Sequence, residues 1–266
     1  MYILFDIGAS KMRFARSDDL QSFGNPIIKK NPRNYMEAMV TIREIVDELS
    51  NGKTITAMAG GISGVFDIDK EQLTFSPNMT DWVGKSLVGD LKRMTGIKPQ
   101  IFNDTQMGGL GEAVYGSGTG QHVVAYITAS TGIGGSVIVD GKINSHKYSF
   151  EPGHQIIDYK DGATLEELIG GKNLEERFNK KPEDLDSKIW EEITRILSVG
   201  LYNTILHWAP DIVVIGGSLM HKVEIKDVRS NIKQILSAYP EVPEVVCSKL
   251  GDLNGLYGAM AYLQSK

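Results

Sequence analysis

The residues best suited to chemistry are two acids at the ends of apolar runs and two glycine-rich turns. Asn103-Asp104 closes the run Pro99–Phe102. A carboxylate held at a strand end can be presented rigidly to one hydroxyl as a proton acceptor, and the neighbouring amide can both donate and accept. The same pair also reads as a turn or a helix cap, and local spacing leaves both readings open. Asp6-Ile7-Gly8-Ala9-Ser10-Lys11 lies between two apolar segments. Gly8 lets the backbone approach a ligand, and turn N–H groups can converge on phosphate oxygens. Ser10 adds a hydroxyl and Lys11 a charge, while Asp6 can hold a hydrated Mg²⁺. A hairpin turn with a solvated lysine accounts for the hexapeptide equally well. Ser130-Thr131-Gly132-Ile133-Gly134-Gly135 is a second such turn. It lacks the Gly-Lys-Ser/Thr of a P-loop, and the strand that follows it does not suit a dinucleotide fingerprint. Two such turns in one chain favour phosphate binding over two unrelated hairpins.

These residues need elements to hold them. Residues 2–7 read as a buried strand, with Met12–Arg16 as its hairpin partner. Asn34–Leu49 has apolar residues at helical spacing, Thr54–Gly60 reads as a strand, and Trp82–Met94 reads as a helix. Pro99–Phe102 is a strand ending at Asn103, and Met107–Val114 is a tightly packed helix rich in small residues. Gly116-Ser117-Gly118-Thr119-Gly120 marks a break and the expected domain boundary. Beyond it, Val123–Thr128 and Gly135–Val139 read as strands, and Asp140-Gly141 turns the chain into Lys142-Ile143. Leu185–Trp208 is the longest helical pattern. The strand Ile212–Ile215 follows, then the turn Gly216-Gly217 and a C-terminal helix over Leu256–Leu263. Each half thus opens with a strand, a glycine-containing turn and another strand, which predicts two similar α/β domains: residues 1–115, rejoined by a helix at 254–266, and residues 116–253.

Composition narrows the function. The 266 residues carry 28 Lys+Arg against 33 Asp+Glu, a net charge of -5 without a dense basic run, which disfavours nucleic-acid binding. Cys247 is the single cysteine, so no intramolecular disulfide and no cysteine-rich zinc site can form. No segment approaches the roughly 18 uninterrupted apolar residues of a membrane helix, and the N-terminus has no leader-like pattern. The expectation is a soluble, cytoplasmic protein without a membrane or nucleic-acid partner.

Taken in order, the motifs resemble those of the ROK family, which comprises sugar kinases and sugar-responsive repressors. Asp6–Lys11 resembles the family's Asp-x-Gly-Gly-Thr-Lys turn, and Gly61-Ile62-Ser63-Gly64 with Asp67 resembles Gly-x-Pro-Gly-x-x-Asp. Pro77-Asn78 with Trp82 resembles Pro-Asn-Leu-x-x-Trp, and Asn103-Asp104 with Gly111-Glu112 resembles Asn-Asp-x-Asn-x-x-x-x-Gly-Glu. Thr131–Gly135 matches Thr-Gly-Ile-Gly-Gly, and Glu151-Pro152-Gly153-His154 matches Glu-x-Gly-His. Leu165-Glu166 with Gly171, Ile215-Gly216-Gly217 and Gly255–Ala259 resemble the remaining family segments. Each is weak alone; their order along nearly the whole chain is specific.

The resemblance implies an α/β, two-domain, actin-like (ribonuclease H-like) fold with an interdomain active-site cleft. It implies an ATP- and Mg²⁺-dependent transfer to a sugar hydroxyl, O6 of a hexose or N-acetylhexosamine, in a chain that could form a homodimer. Asp104 would take the hydroxyl proton. Gly64, Asn78, Asn103, Glu151, His154 and Glu166 would hold the sugar, with Glu167 as a rival to Glu166. Asp6, Gly8, Ser10, Lys11, Thr131, Gly132, Gly134, Gly135, Gly216 and Gly217 would hold the nucleotide, with Asp6 reaching Mg²⁺ through water. The remaining histidines (His122, His146, His207, His221) carry no motif.

The sequence also departs from the pattern. Asp158–Leu165 has none of the cysteines with which many family members bind zinc beside the Glu-x-Gly-His histidine. A zinc site is therefore not expected, and His154 is free for sugar. Ser63 stands for the usual proline and Ala9 for the second glycine. The first strand begins at Tyr2 with no helix-turn-helix before it, which argues against the repressor branch. A non-catalytic sugar-binding regulator, and another actin-fold ATPase or acid kinase, remain the alternatives.

Overall fold

Tyr2–Ile7 (β1) buries Ile3, Leu4, Phe5 and Ile7, so side chains of both faces are covered, as in a central strand with layers on either side. Lys11–Ser17 (β2) and Ile27–Lys30 (β3) extend the sheet antiparallel on one side of β1. Ala57–Ile62 (β4) joins the other side in parallel; Val65–Phe66 (β5) and Leu73–Phe75 (β6) form a small hairpin, and Gln100–Asn103 (β7) pairs parallel with β4. The strand order is β3-β2-β1-β4-β7. The carboxyl ends of the three parallel strands therefore share one edge, where Asp6 pairs with Gly61 and Ile62 with Asn103. In α/β sheets that edge is where ligands bind.

This computed structural model describes residues 1–67, 69–144 and 149–266, so His146 lies outside the described residues. The chain divides into two compact units, built mainly from Met1–Val114 with Asp252–Lys266 and from Tyr115–Asn144 with Phe150–Gly251.

Three helices accompany the first sheet before the chain leaves the unit. Tyr35–Ser50 (α1) starts where the Asn34 side chain accepts the Glu37 N–H at 3.1 Å, and it buries Tyr35, Ala38, Met39, Ile42, Ile45 and Val46 along one face. Leu87–Thr95 (α2) is shorter than the spacing predicts. Thr80–Trp82 forms only a 3₁₀ turn, and Gly84, at φ +73°, breaks the path between the two. The strand expected from Thr54 likewise begins only at Ala57. Asp104–Tyr115 (α3) follows β7 without a connecting residue.

The second unit repeats the plan. Val123–Ala129 (β8), Ile133–Val139 (β9) and Lys142–Ile143 (β10) form the antiparallel side. Asp140 and Gly141, both at positive φ, make the two-residue turn between the last two. Ile156–Asp158 (β11) pairs with Ala163–Thr164 (β12), and Ile212–Gly216 (β13) and Glu244–Cys247 (β14) complete the parallel side of the main sheet. The order β10-β9-β8-β13-β14 reproduces that of the first sheet, pair by pair and direction by direction. Leu165–Ile169 (α4), Gly171–Phe178 (α5), Ser187–Trp208 (α6) and Ile225–Ile235 (α7) surround it. Strand β14 and helices α5 and α7 have no counterpart among the elements expected from the sequence.

Asn254–Gln264 (α8) belongs to the first unit and packs on β1 and β4. It crosses α3 at a distance only glycine permits. A Cβ on Gly258 would come within 1.9 Å of the Met107 carbonyl oxygen, and one on Gly111 within 2.2 Å of the Asn254 carbonyl oxygen. Alanine is about 1 kcal/mol better than glycine inside a helix, but here the clash is with backbone, which cannot swing aside. Overpacking of this kind costs about 1–3 kcal/mol. Gly258→Ala should therefore lower stability by about 2 kcal/mol despite its better helix propensity. Urea unfolding monitored by circular dichroism checks this, and an unchanged or raised midpoint would refute the tight crossing.

Candidate active site

Asp104 stands at the junction of β7 and α3, with no relative freedom of its own: the strand fixes one side and the helix the other. Its Oδ1 accepts the Thr105 N–H at 2.9 Å, and the Ser63 hydroxyl donates to the same carboxyl. Burial nonetheless dominates and pushes its pKa above the usual carboxylate range. A carboxylate so placed is a better proton acceptor than a solvated one.

Asn103 is engaged at both ends of its amide. Nδ2 donates to the Gly64 carbonyl at 3.0 Å, and Oδ1 accepts the Thr105 N–H at 2.9 Å and its hydroxyl at 2.5 Å. The helix-cap reading of Asn103-Asp104 thus describes what Asn103 does, while Asp104 beside it keeps a buried carboxylate. Gly64 has φ +135°, and a Cβ there would meet the Phe75 carbonyl at 2.8 Å, so the turn out of β4 requires glycine. Gly61 leaves room for Asp104 itself, whose Cα would lie 2.8 Å from an added Cβ.

Asp6, next to the end of β1, is largely covered in the same unit, its side chain 14% exposed. Its pKa is pushed up to about 7, first by burial and then by the nearby Asp104 charge; Arg13 pulls it back. Arg13 on β2 donates to Asp6 at 3.2 Å and to Asp252 at 2.7 Å. No motif marks Arg13, and Asp252 is far away in sequence. The alternation of β2 places Arg13 opposite Asp6 in the hairpin register, which was the one available sequence signal. Gly8 and Ser10 form the tip of that hairpin; the side chains of Lys11 and Asn78 are exposed and make no hydrogen bond or ion pair to the other candidates among the described residues.

The second unit gathers a separate set. The β8–β9 loop is only Ser130–Gly132; Gly134 and Gly135 are ladder residues of β9, paired with Thr128 and Ile127. Gly217, at φ +99°, lies against the Ala129 backbone, where a Cβ would come within 2.1 Å of its carbonyl oxygen. Gly216-Gly217 thereby borders the loop. The Glu151–His154 segment makes a short 3₁₀ turn whose Gly153 packs on Ile133, so Glu151 and His154, both exposed, are carried on the same hairpin. Glu166 reaches this hairpin too: its Oε2 accepts the Ile133 N–H at 2.6 Å. Its rival Glu167 instead forms a capping box with Thr164 (2.8 Å and 3.2 Å), and those bonds lower its pKa. His122, by contrast, pairs with Asp140 at 2.5 Å, away from every motif residue.

The residues expected to hold the nucleotide and the sugar thus fall into two groups. Asp6, Gly8, Ser10, Gly64, Asn103 and Asp104 sit at the parallel-strand edge of the first unit. Thr131, Gly132, Gly216, Gly217, Glu151, His154 and Glu166 sit around the equivalent edge of the second. For Mg²⁺ the donor set fits. Asp6 is a hard oxygen donor that burial and the nearby Asp104 charge disfavour as an anion, and a divalent cation relieves both penalties. No group of three or more His, Cys, Asp or Glu side chains clusters as metal ligands would among the described residues, so much of the coordination shell would be water or phosphate.

Comparison with known proteins decides the family. A family model described as the ROK family matches residues 2–266. The chain belongs to the ROK family. A glucokinase of Thermotoga maritima is 25% identical over 93% of this chain and 93% of its own length. An N-acetyl-D-glucosamine kinase of Photobacterium profundum is 26% identical over the full length of both. A ROK family glucokinase from Streptomyces griseus, solved in complex with glucose and AMPPNP, superposes with a TM-score of 0.83 at 22% identity, covering 100% of this chain and 99% of that one. The ROK fold is the actin-like two-domain ATPase fold, and the repeated five-stranded sheets are its two halves.

The buried Asp6 has a pH consequence. Folded, it keeps its proton to about pH 7; unfolded, it releases it near 3.8, the ordinary value of an aspartate. Between these values the native state binds more protons than the unfolded one, so stability falls as pH rises. The slope is at most about 1.4 kcal/mol per pH unit for one group. In metal-free buffer, Asp6→Asn should remove most of this decline, raising stability at pH 7 more than at pH 4. Urea midpoints across that range check it, and parallel curves for the two proteins would overturn it.

Proposed function

We propose that this ROK protein is an ATP-dependent sugar kinase that phosphorylates a hexose or N-acetylhexosamine, at O6, with Asp104 as the proton acceptor. The observation that carries the reading is the buried Asp104 carboxyl at the β7–α3 junction, its pKa raised by burial, in a chain whose relatives are named glucokinase and N-acetyl-D-glucosamine kinase.

Phosphoryl transfer asks the protein for position and charge compensation more than for covalent chemistry. Asp104 is held by Ser63 and Thr105 so that its free lone pairs can take the proton of the attacking hydroxyl. Sugar recognition draws on Asn103, Gly64 and Asn78 from the first unit and on Glu151, His154 and Glu166 from the second. Carboxylate and imidazole side chains suit adjacent hydroxyls because they supply acceptors and donors in turn. The turns at Gly8–Lys11 and Ser130–Gly132 present backbone N–H groups to the phosphates, Lys11 adds charge, and Gly216-Gly217 leaves room for the adenosine. Asp6 would hold a hydrated Mg²⁺, which would supply charge neutralisation on the phosphates. Asp6, at about pKa 7 without a cation, becomes fully anionic once a positive charge is beside it.

Incubation with ATP, Mg²⁺ and a panel including glucose, fructose and N-acetylglucosamine, following ADP release, should show turnover on at least one sugar. Asp104→Asn should lower kcat by about 10²–10⁴-fold, the usual contribution of a positioned base, while leaving ATP binding intact. His154→Ala should raise the sugar KM by about tenfold, equivalent to one lost hydrogen bond to a charged or polar group. Tight sugar binding with no turnover, unchanged by Asp104→Asn, would identify a regulator instead.

A further inference from the structure

A turn that binds phosphate must expose N–H groups and keep its carbonyl oxygens away, since each carbonyl carries partial negative charge. The two candidate turns meet this requirement by different means. In the second unit the carbonyls of Ser130 and Thr131 accept the N–H groups of Gly171 and Lys172, at 2.8 Å and 3.1 Å. Those donors are the first N–H groups of α5, which have no partner within their own helix.

In the first unit no helix-start N–H donates to the turn carbonyls among the described residues, and Asn31 takes that place. Asn31, just after β3, is 3% exposed. Its backbone N–H donates to the Ser10 carbonyl at 2.9 Å, and its Nδ2 donates to the Gly8 carbonyl at 2.7 Å. Gly8 N–H closes the turn on Lys11 at 2.9 Å. The N–H groups of Ala9 and Ser10 have no acceptor among the described residues. Rotating the amide by 180° would set its oxygen against the Gly8 carbonyl, so its orientation is fixed. Its Oδ1 is buried without a hydrogen-bond partner, a cost in stability that accompanies the one bond Nδ2 makes to the turn.

Asn31 also joins the turn to the segment that carries Asn78. Its Nδ2 lies 3.9 Å from the Met79 sulfur. Four residues on, the Tyr35 N–H donates to Asp81 at 2.8 Å, and the Tyr35 ring packs edge-on against Trp82. Residues 31–35 are therefore a strap between the first phosphate turn and residues 79–82, fastened to the former by strong hydrogen bonds and to the latter through Tyr35.

We propose that Asn31 is the positioning residue of the first phosphate turn, holding the Gly8 and Ser10 carbonyls back so that the turn offers only N–H groups to the triphosphate of ATP. This rests on the kinase reading above. Because Tyr35 fastens the other end of the strap, loss of the Asn31 side chain acts on the nucleotide and spares the sugar.

The test compares Asn31→Ala and Asn31→Asp with the unaltered protein. Asn31→Asp keeps the shape but replaces the Nδ2 donor with an oxygen. Calorimetric titration with Mg-ATP and steady-state kinetics should give an ATP Kd and KM about tenfold higher, the size of one lost hydrogen bond, with the sugar KM changed less than twofold. Hydrogen exchange of the Gly8–Lys11 amides should quicken in the ligand-free variants. A residue that only supported the fold would lower the melting temperature without separating the two KM values. Should Asn31→Asp fail to fold, Asn31→Ser, which has no reach to Gly8, gives the same readouts. Folded variants with unchanged ATP Kd and KM overturn the assignment of Asn31 while leaving the kinase reading standing. An unaltered protein that neither binds ATP nor phosphorylates any sugar overturns both.

Discussion

Two carboxyl groups buried in one unit set the terms for everything around them. Asp6 and Asp104 lie at the carboxyl ends of parallel strands β1 and β7, one strand apart; burial opposes the ionisation of both, and the Asp104 charge further opposes that of Asp6. A buried anion without compensation costs several kcal/mol, so the surrounding structure has to supply positive charge and donors. It does so unequally. Asp6 has Arg13, itself shared with Asp252, whereas among the described residues Asp104 has neutral donors, the Ser63 hydroxyl, the Thr105 N–H and its own backbone N–H. The asymmetry gives one acid a cationic neighbour and leaves the other without one, which suits the proposed division of labour between a cation-holding acid and a proton acceptor.

Strand topology makes this proximity unavoidable. With β1, β4 and β7 parallel and in register, the residue that ends one strand is level with the residue that ends the next. The β4 position between the two acids must then be small: Gly61 pairs with Asp6, and Asp104 would collide with any Cβ placed there. The same reasoning extends to α8, whose Gly255 lies against Asp6, where an added Cβ would be 3.0 Å from the carboxyl carbon. Glycines in β4 and α8 therefore serve the acids, while Gly111 and Gly258 serve the crossing of α3 and α8. They bring two helices against the strand ends without filling the space that the carboxylates occupy.

Motif residues were legible because each motif is local. The strand–turn–strand pattern around Gly8, the Asn-Asp at a strand end and the paired half-chain plan can all be read from spacings shorter than one element. What was not legible is long-range. Arg13 meets Asp252, and Glu166 meets Ile133, through pairings that exist only after the sheets have formed. Asn31 carries no periodic or motif signal, being a polar residue at the end of a short strand. Helix α7 escaped because its apolar positions (Ile225, Val228, Ile232, Ile235) are spread thinly among charges. The spacing at Trp82 predicts too much helix for the opposite reason: apolar positions continue across Gly84, and a backbone turn at positive φ overrides them.

Ser63 shows how a departure from a family pattern can be physically specific. Proline at that position has no N–H and no hydroxyl. Serine supplies both: its N–H donates to the Ile7 carbonyl at 3.0 Å, tying the exit of β4 to the end of β1, and its hydroxyl reaches the Asp104 carboxyl. The first bond extends the parallel pairing by one residue beyond the strand. The second opposes burial, since a donor to the carboxylate favours the charged form. Burial raises the affinity of Asp104 for a proton while Ser63 and the Thr105 N–H lower it, and burial prevails. The proton affinity of Asp104 is thus a balance struck between burial and backbone and hydroxyl donors, one of which the family's usual proline cannot provide.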